Sequence, residues 1–493
     1  MENKKTGEVY TPKETVKKIL DLALYFNENI LKKYVIDNSC GEGAFLLEIV
    51  ERYIDSARKI GLNNLSICKD LGKYIHGIEI NRKSYLKVIE NLNNLLLQKG
   101  IKNKVEWNII NENTLDVTQF NNKMDFVIGN PPYVRIHDLD FNYKSFEFSK
   151  KGMTDLYIIF FELGLKMLNK KGKLAYITPN SFLSSESGLQ LRLKLLENNL
   201  IEKVLNLRND NPFKGITTYP IITILNKNKI SADVEVYNSN YDFEYKIEKF
   251  NYWIHSKFFF EKSYELEFIK QILDCKNLEF DIHVRNGLAT NADKLFYNPS
   301  YKGKFMIDAI KASRGAKTKL FYPYDKKGNL IELEKIEKYN LNMFKVLKKN
   351  KSSLINRSLE DESKWYGFAR SQGIKDVFRD KLSINTIIKD LDSLKIELAN
   401  SGVAVYSGLY VYSNTIELNE IAEMIRDNEF ITYIKCLGKD KSGKYYFISS
   451  QDLKTYLNYV YNNKNKNKLI KGEMNHNEQR FTEGIRGNNL FNK

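Results

Sequence analysis

The chain has 493 residues, 42% of them hydrophobic, and carries 77 Lys and Arg against 61 Asp and Glu for a formal net charge of +16. That length and apolar content exclude a disordered chain and allow cores for two or more domains. The charge points to a polyanion, most simply nucleic acid, because Lys and Arg displace counterions from phosphates, although a genome rich in Lys and Asn codons would leave the same mark, as the 462–468 tract suggests. Cys40, Cys68, Cys275 and Cys436 lack CxxC or Cys/His ligand spacing, so neither a disulfide framework nor a metal site is expected. No charged-then-apolar leader opens the chain and no apolar run approaches the roughly 20 residues of a membrane span. A reducing, cytoplasmic location is expected.

In chain order, short β-branched runs alternate with amphipathic stretches up to about residue 235, the pattern of βαβ units around a mainly parallel sheet. Apolar spacing after Thr11-Pro12 predicts a helix from Val16 to Ile30. Strands are predicted at Tyr34–Asp37, Tyr74–Glu79, Val105–Ile110, Phe126–Gly129, Gly172–Thr178 and Pro220–Leu225, with helices at Ala44–Tyr53 and Leu156–Leu168. Beyond about residue 236 the alternation gives way to aromatic, Lys-rich sequence with short strand-like pieces, Gly402–Tyr412 and Lys444–Ile448 among them. The boundaries expected are therefore 1–235 for an α/β domain, 236–463 for a mixed α/β domain, and 464–493 for a basic tail of weak order.

Three motifs end predicted strands. Asp37-Asn-Ser-Cys-Gly41-Glu-Gly43 places two glycines after the first strand, where small residues let a ligand approach the backbone; a tight turn with no ligand would look the same. Position 46 is Leu, so the GxGxxG dinucleotide fingerprint is absent. Glu79 closes the next strand, where a carboxylate can accept both hydroxyls of a ribose or simply cap a turn. Asn130-Pro131-Pro132-Tyr133 follows Phe126–Gly129. An amide, two rigid prolines and an aromatic at such an edge can hold a planar amine, though Asn-Pro is also a common turn initiator.

In this order the motifs resemble the class I S-adenosylmethionine-dependent methyltransferases, and among them the gamma-class adenine-N6 DNA methyltransferases, the TaqI-like and Eco57I-like enzymes of restriction-modification systems. The amino-terminal Gly7-Glu-Val-Tyr-Thr-Pro12 is similar to the segment that embraces the cofactor in that family. The resemblance covers the first half closely and the second half only in layout. It implies a Rossmann-like α/β catalytic domain followed by a mixed α/β DNA-recognition domain, with double-stranded DNA as partner and a cognate restriction endonuclease in the same system. It implies further that Val9 and Thr11 cover the methionine part of S-adenosylmethionine, that Asp37, Ser39, Gly41 and Gly43 lie beneath it, and that Glu79 holds the ribose. Ile80 would pack on the adenine, and Asn113 stands where the family often has an acidic residue for the adenine amine. Asn130 and Pro131 would accept the target amine's two N–H bonds, with Pro132 shaping the loop, and Tyr133 and Phe213 would stack on a base swung out of the duplex.

In the second half, the segments 285–293, 311–314, 365–372 and 439–443 supply basic and amide groups near turns. Arg and Gln can read base edges whereas Lys mostly positions phosphate, and each charge read singly is equally a solvated surface. Competing readings are a protein-glutamine methyltransferase, an RNA adenine methyltransferase and a non-catalytic DNA-binding subunit. A fused nuclease is not expected, since almost nothing precedes residue 9 to house one.

Overall fold

The computed structural model describes residues 10–136, 145–150, 154–208, 210–213, 218–275, 281–357, 359 and 361–464. The chain divides into two compact units, Met1–Leu266 and Glu267–Lys493.

The first unit is built on a nine-stranded sheet of order β3-β2-β1-β4-β5-β7-β6-β8-β9. Its strands are β1 (Val35–Asp37), β2 (Ile75–Ile78), β3 (Asn108–Ile110), β4 (Met124–Gly129), β5 (Leu168–Pro179), β6 (Ile201–Asn206), β7 (Pro220–Asn226), β8 (Val234–Tyr237) and β9 (Phe243–Ile247). From β3 to β5 all pairs are parallel, whereas β7 runs antiparallel to both β5 and β6. Parallel strands are covered on both faces by their crossover helices. Accordingly β1 and β2 are buried along their whole length, and so is β7 up to its last residue. The chain leaves β1 in one direction for β2 and returns on its other side for β4. That reversal is the topological switch point, where open α/β sheets form a crevice at the strands' carboxyl ends.

Helices Ala44–Lys59, Asn64–Tyr74 and Arg82–Gln98 join the first strands. Asn63 and Asn81 cap the second and third by accepting first-turn backbone N–H bonds from Ser66 and from Lys83 and Ser84. The long helix expected from Val16 to Ile30 instead spans Lys13–Leu22. Leu24 and Asn27 take φ of 61° and 59°, which the helix cannot continue through, and a single 3₁₀ turn at Asn27–Ile30 follows. The expected boundary at 235/236 falls inside β8, which pairs in parallel with β6 and antiparallel with β9, so the sheet continues past it. The tail expected from 464 lies, after Lys464, outside the described residues.

The second unit holds a four-stranded antiparallel sheet, ordered His283–Asn286, Leu409–Tyr412, Lys381–Ile384, Ile396–Ala399. Beside it lies a three-stranded sheet of Ala316–Phe321, Met306–Lys311 and Ala404–Tyr406. Arg357 ties separate segments of this unit together, since its guanidinium donates to the carbonyls of Thr290, Leu354, Trp365 and Gly367.

Candidate active site

Asp37 ends β1 and is buried. Its Oδ1 accepts the Ser39 N–H at 3.1 Å. Burial pushes its carboxyl up to about 7, against the Ser39 bond and with help from the charge of Glu79. A side chain at Gly129, the last residue of β4, would begin 2.7 Å from that same Oδ1, so this glycine lets the carboxylate lie on the neighbouring strand end.

The glycine turn that follows divides its labour. Gly41 has φ +52°, and an added Cβ there would meet nothing within 4 Å, so its open side gives a ligand room. Gly43 has φ +95° and an added Cβ would strike Val88 Cγ2 at 2.6 Å. Gly43 therefore starts the helix Ala44–Lys59 and lets the helix Arg82–Gln98 come close, and it does not line the cavity.

Glu79 is only 5% exposed. Its Oε2 accepts the Gly41 N–H at 2.8 Å and its Oε1 accepts the Asn81 N–H at 2.7 Å. It thus joins the glycine turn to the start of the next helix. Each carboxylate oxygen keeps a second lone-pair direction for a ligand hydroxyl. Ile80 beside it is 66% exposed, an apolar side chain held open at a cavity rim. Asn111, which motif reading passed over, fixes that rim by donating from Nδ2 to the carbonyls of Glu79 and Ile80. Its signal was available, since it directly follows β3 at the same carboxyl edge. Asn113 lines the cavity, and its Oδ1 also accepts the Leu115 N–H at 3.2 Å.

Asn130 stands at the carboxyl end of β4. Its Nδ2 donates to Thr11 Oγ1 at 3.1 Å, and its main-chain carbonyl accepts the Ser39 hydroxyl at 3.4 Å. Thr11, from the segment ahead of the first helix, is buried, so the amide has a fixed orientation. Below lies a second buried layer that the sequence did not announce. Asn38 accepts the Tyr176 hydroxyl on its side chain at 2.9 Å and the Thr114 hydroxyl on its carbonyl at 2.6 Å.

Thr11, Asp37, Ser39, Gly41, Glu79, Ile80, Asn113, Asn130 and Pro132 thus line one cavity of about 1100 Å³, joined by Tyr10, which is 75% exposed. Pro131 is buried behind it. Tyr133 stands apart, donating its hydroxyl to the Ile177 carbonyl at 3.2 Å. Its ring meets Tyr157 and Phe213 edge-on, at 6.4 and 6.2 Å between centroids. Phe213 is 4% exposed and packs in the core of the unit. Val9 lies outside the described residues. Among the described residues, no group of three or more His, Cys, Asp or Glu is placed to hold a metal ion.

The sheet order with β7 reversed between β5 and β6 and the crevice at β1 and β4 define a class I S-adenosylmethionine-dependent methyltransferase fold. Residues 14–213 match the family described as Eco57I restriction-modification methylase. The chain is 28% identical over 341 residues to the Type II methyltransferase M.BstVI of Geobacillus stearothermophilus, a match covering 59% of each protein. It is 24% identical over 394 residues to the Type II restriction enzyme and methyltransferase RM.Eco57I of Escherichia coli, covering 65% of this chain and 38% of that one. The chain therefore spans between about two fifths and three fifths of these relatives. In fold it is similar to the Type IIL restriction-modification enzyme MmeI solved in complex with DNA, at TM-score 0.63 and 16% identity, over 89% of this chain and 64% of that one. It is similar also to a nuclease-deletion mutant of the Type ISP enzyme LlaGI, at TM-score 0.54 and 13% identity, over 91% of this chain and 54% of that one.

S-adenosylmethionine is the cofactor of this fold family, and the residues present fit it. A carboxylate at one end of the cavity suits an ammonium, the open side of Gly41 admits the chain, Glu79 retains acceptor capacity for a ribose, and exposed Ile80 offers a flat ring apolar cover.

Proposed function

We propose that this chain is a site-specific DNA methyltransferase that methylates the N6 amine of adenine in double-stranded DNA and so protects it from a restriction endonuclease of the same system, without obligatory contact between the two proteins. The observation that carries this reading is the oriented amide of Asn130 at the carboxyl end of β4, on the wall of the cavity that suits the cofactor.

When bound, the cofactor supplies an already activated sulfonium methyl. What remains for the protein is the amine, a poor nucleophile because its lone pair is delocalised into the ring. Asn130 Oδ1 and the Pro131 carbonyl are acceptors that can take its two N–H bonds and draw the nitrogen toward a tetrahedral geometry. No strong base is needed beforehand, because the departing proton becomes acidic as the new N–C bond forms. The atom is hidden inside a duplex, so the base must leave the stack. The gain then comes mainly from proximity and orientation. Stacking by Tyr133 and Phe213 requires Phe213, buried in this arrangement, to be uncovered when DNA binds.

The test is methyl transfer to unmodified DNA, to RNA and to a glutamine-containing protein, with nucleoside analysis of the product. N6-methyladenine in DNA is expected. Methyl transfer confined to RNA or protein would overturn the reading. Asn130→Ala should abolish transfer while leaving cofactor affinity within a few-fold, and near-normal turnover of that variant would sink the mechanism.

A further inference from the structure

The second unit gathers one strand end and three turns that are far apart in sequence, and each pairs a polar tip with a glycine: Arg285-Asn286-Gly287, Ser313-Arg314-Gly315, Ser371-Gln372-Gly373 and Ser407-Gly408. Three of them are fixed to one another by backbone, and the segment at Gln372 is joined by its side chain. Gly287 N donates to the Gly408 carbonyl at 2.9 Å, Leu288 N to Val405 at 2.8 Å, and Ser313 N to Ser407 at 3.0 Å. Gln372 Nε2 donates to the Gly287 carbonyl at 3.3 Å, and the Ser407 hydroxyl to that of Ser313 at 3.1 Å. The glycines permit this crowding. A Cβ at Gly408 would begin 2.4 Å from Ala312 Cβ, and one at Gly287 2.8 Å from the Val405 carbonyl.

The charge within these four segments has one sign. The stretches 285–288, 311–316, 370–373 and 406–409 contain Arg285, Lys311, Arg314 and Arg370 and no Asp or Glu. Arg285, Arg314, Arg370, Ser313, Gln372 and Ser407 are exposed. Three buried or half-buried arginines of the first and second units are fully occupied. Arg52, Arg192 and Arg357 each spend their guanidinium on two or more carbonyls. By contrast, no hydrogen bond or ion pair to a described residue engages the guanidinium of Arg285, Arg314 or Arg370. Glu397 comes within 3.4 Å of where a Gly315 side chain would start, yet makes no ion pair with Arg314.

Three planar cations without a described partner, and an amide that already donates to the Gly287 carbonyl, thus share one surface held in place by these bonds. We infer that these four segments form a single sequence-reading edge for double-stranded DNA, with Arg285, Arg314 and Arg370 as the arginines that contact bases and Gln372 as an amide reader. Arg forks match the O6/N7 pair of guanine and amides match the N6/N7 pair of adenine; the same fork can grip a phosphate, and the salt dependence in the test separates the two. The inference rests on the DNA-methylating function proposed above and assigns site choice to named residues.

The test uses the full chain with S-adenosylmethionine on unmodified genomic DNA, followed by sequencing of the modified positions. Wild type defines the site, and if it modifies no DNA the function proposed above fails before this inference is reached. Arg285→Ala, Arg314→Ala and Arg370→Ala are each expected to keep cofactor affinity, and at least one to relax one position of the site by about tenfold or more. The Lys counterparts guard against a misfolded variant. They keep the charge and should keep overall DNA affinity within a few-fold while relaxing the same position. An unchanged site in all six variants would overturn the inference. So would a loss of binding equal for all sequences with a flattened salt dependence, since that is the mark of phosphate contacts alone.

Discussion

Thr11 and Asn130 are 119 residues apart in the chain and share one hydrogen bond, 3.1 Å long. Thr11 takes the amide nitrogen, and in the mechanism proposed above the Asn130 amide so held accepts from the target amine through its oxygen. Thr11 is then a positioning residue. Thr11→Val should lower kcat by about tenfold, the loss expected of roughly 1.4 kcal/mol of orientation, with little change in KM for DNA, and Thr11→Ser should restore it. Equal losses in Val and Ser variants would assign Thr11 to packing alone. Asp37 makes a second prediction, through pH. Its carboxyl lies at about 7 when folded against 3.8 ordinarily, so folding takes up a proton in that window and stability without cofactor falls as the pH rises through it. Asp37→Asn keeps the acceptor for the Ser39 N–H and lacks the titration. Thermal unfolding should therefore favour the variant over wild type increasingly from about pH 5 to pH 8, and saturating S-adenosylmethionine, which carries a cationic ammonium, should narrow the gap. A gap that does not change with pH would mean that Asp37 is ionised throughout.

At the scale of elements, strands and their loops were legible because buried strands are short, β-branched and interrupted by glycine or proline. Val35–Asp37, Ile75–Ile78 and Met124–Gly129 fall where the hydrophobic runs placed them. The first helix was overextended because apolar spacing persists through Leu24–Ile30, while the backbone there turns through positive φ at Leu24 and Asn27. Periodicity has no access to that conformation. The end of the first domain was misplaced for a related reason. β8 and β9 carry polar residues on one side, half-buried Glu235 and exposed Lys246 among them, and look unlike the buried strands before them. A chain shortened to residues 1–235 ends within β8 and leaves β6 with an unpaired edge. We expect that protein to aggregate, and one shortened to residues 1–262, which keeps β8 and β9, to stay soluble and bind S-adenosylmethionine, as gel filtration and calorimetry would show. Equal solubility of the two would show that these strands add nothing to the fold.

For the whole molecule, the two compact units carry the proposed division of labour, with methyl transfer in the first and site choice in the second. The 1–262 protein should accordingly lose selectivity for its DNA site even while it binds the cofactor, and a first unit that alone kept full selectivity would overturn the assignment to the second. Sequence by itself located the motifs of the first unit. A glycine turn, an acidic strand end and an Asn-Pro-Pro-Tyr loop stand next to the strands that position them, and local order along the chain survives into the sheet. Only the tertiary structure decided what depends on contact across sequence. It separated the ligand-facing Gly41 from the helix-packing Gly43, set Thr11 against Asn130 and Asn38 against Tyr176, and withdrew Phe213 into the core. It also brought Arg285, Arg314, Arg370 and Gln372 to one edge from separate segments of the chain between residues 285 and 372. Such sites have no period and no motif, because their members meet only when the backbone folds.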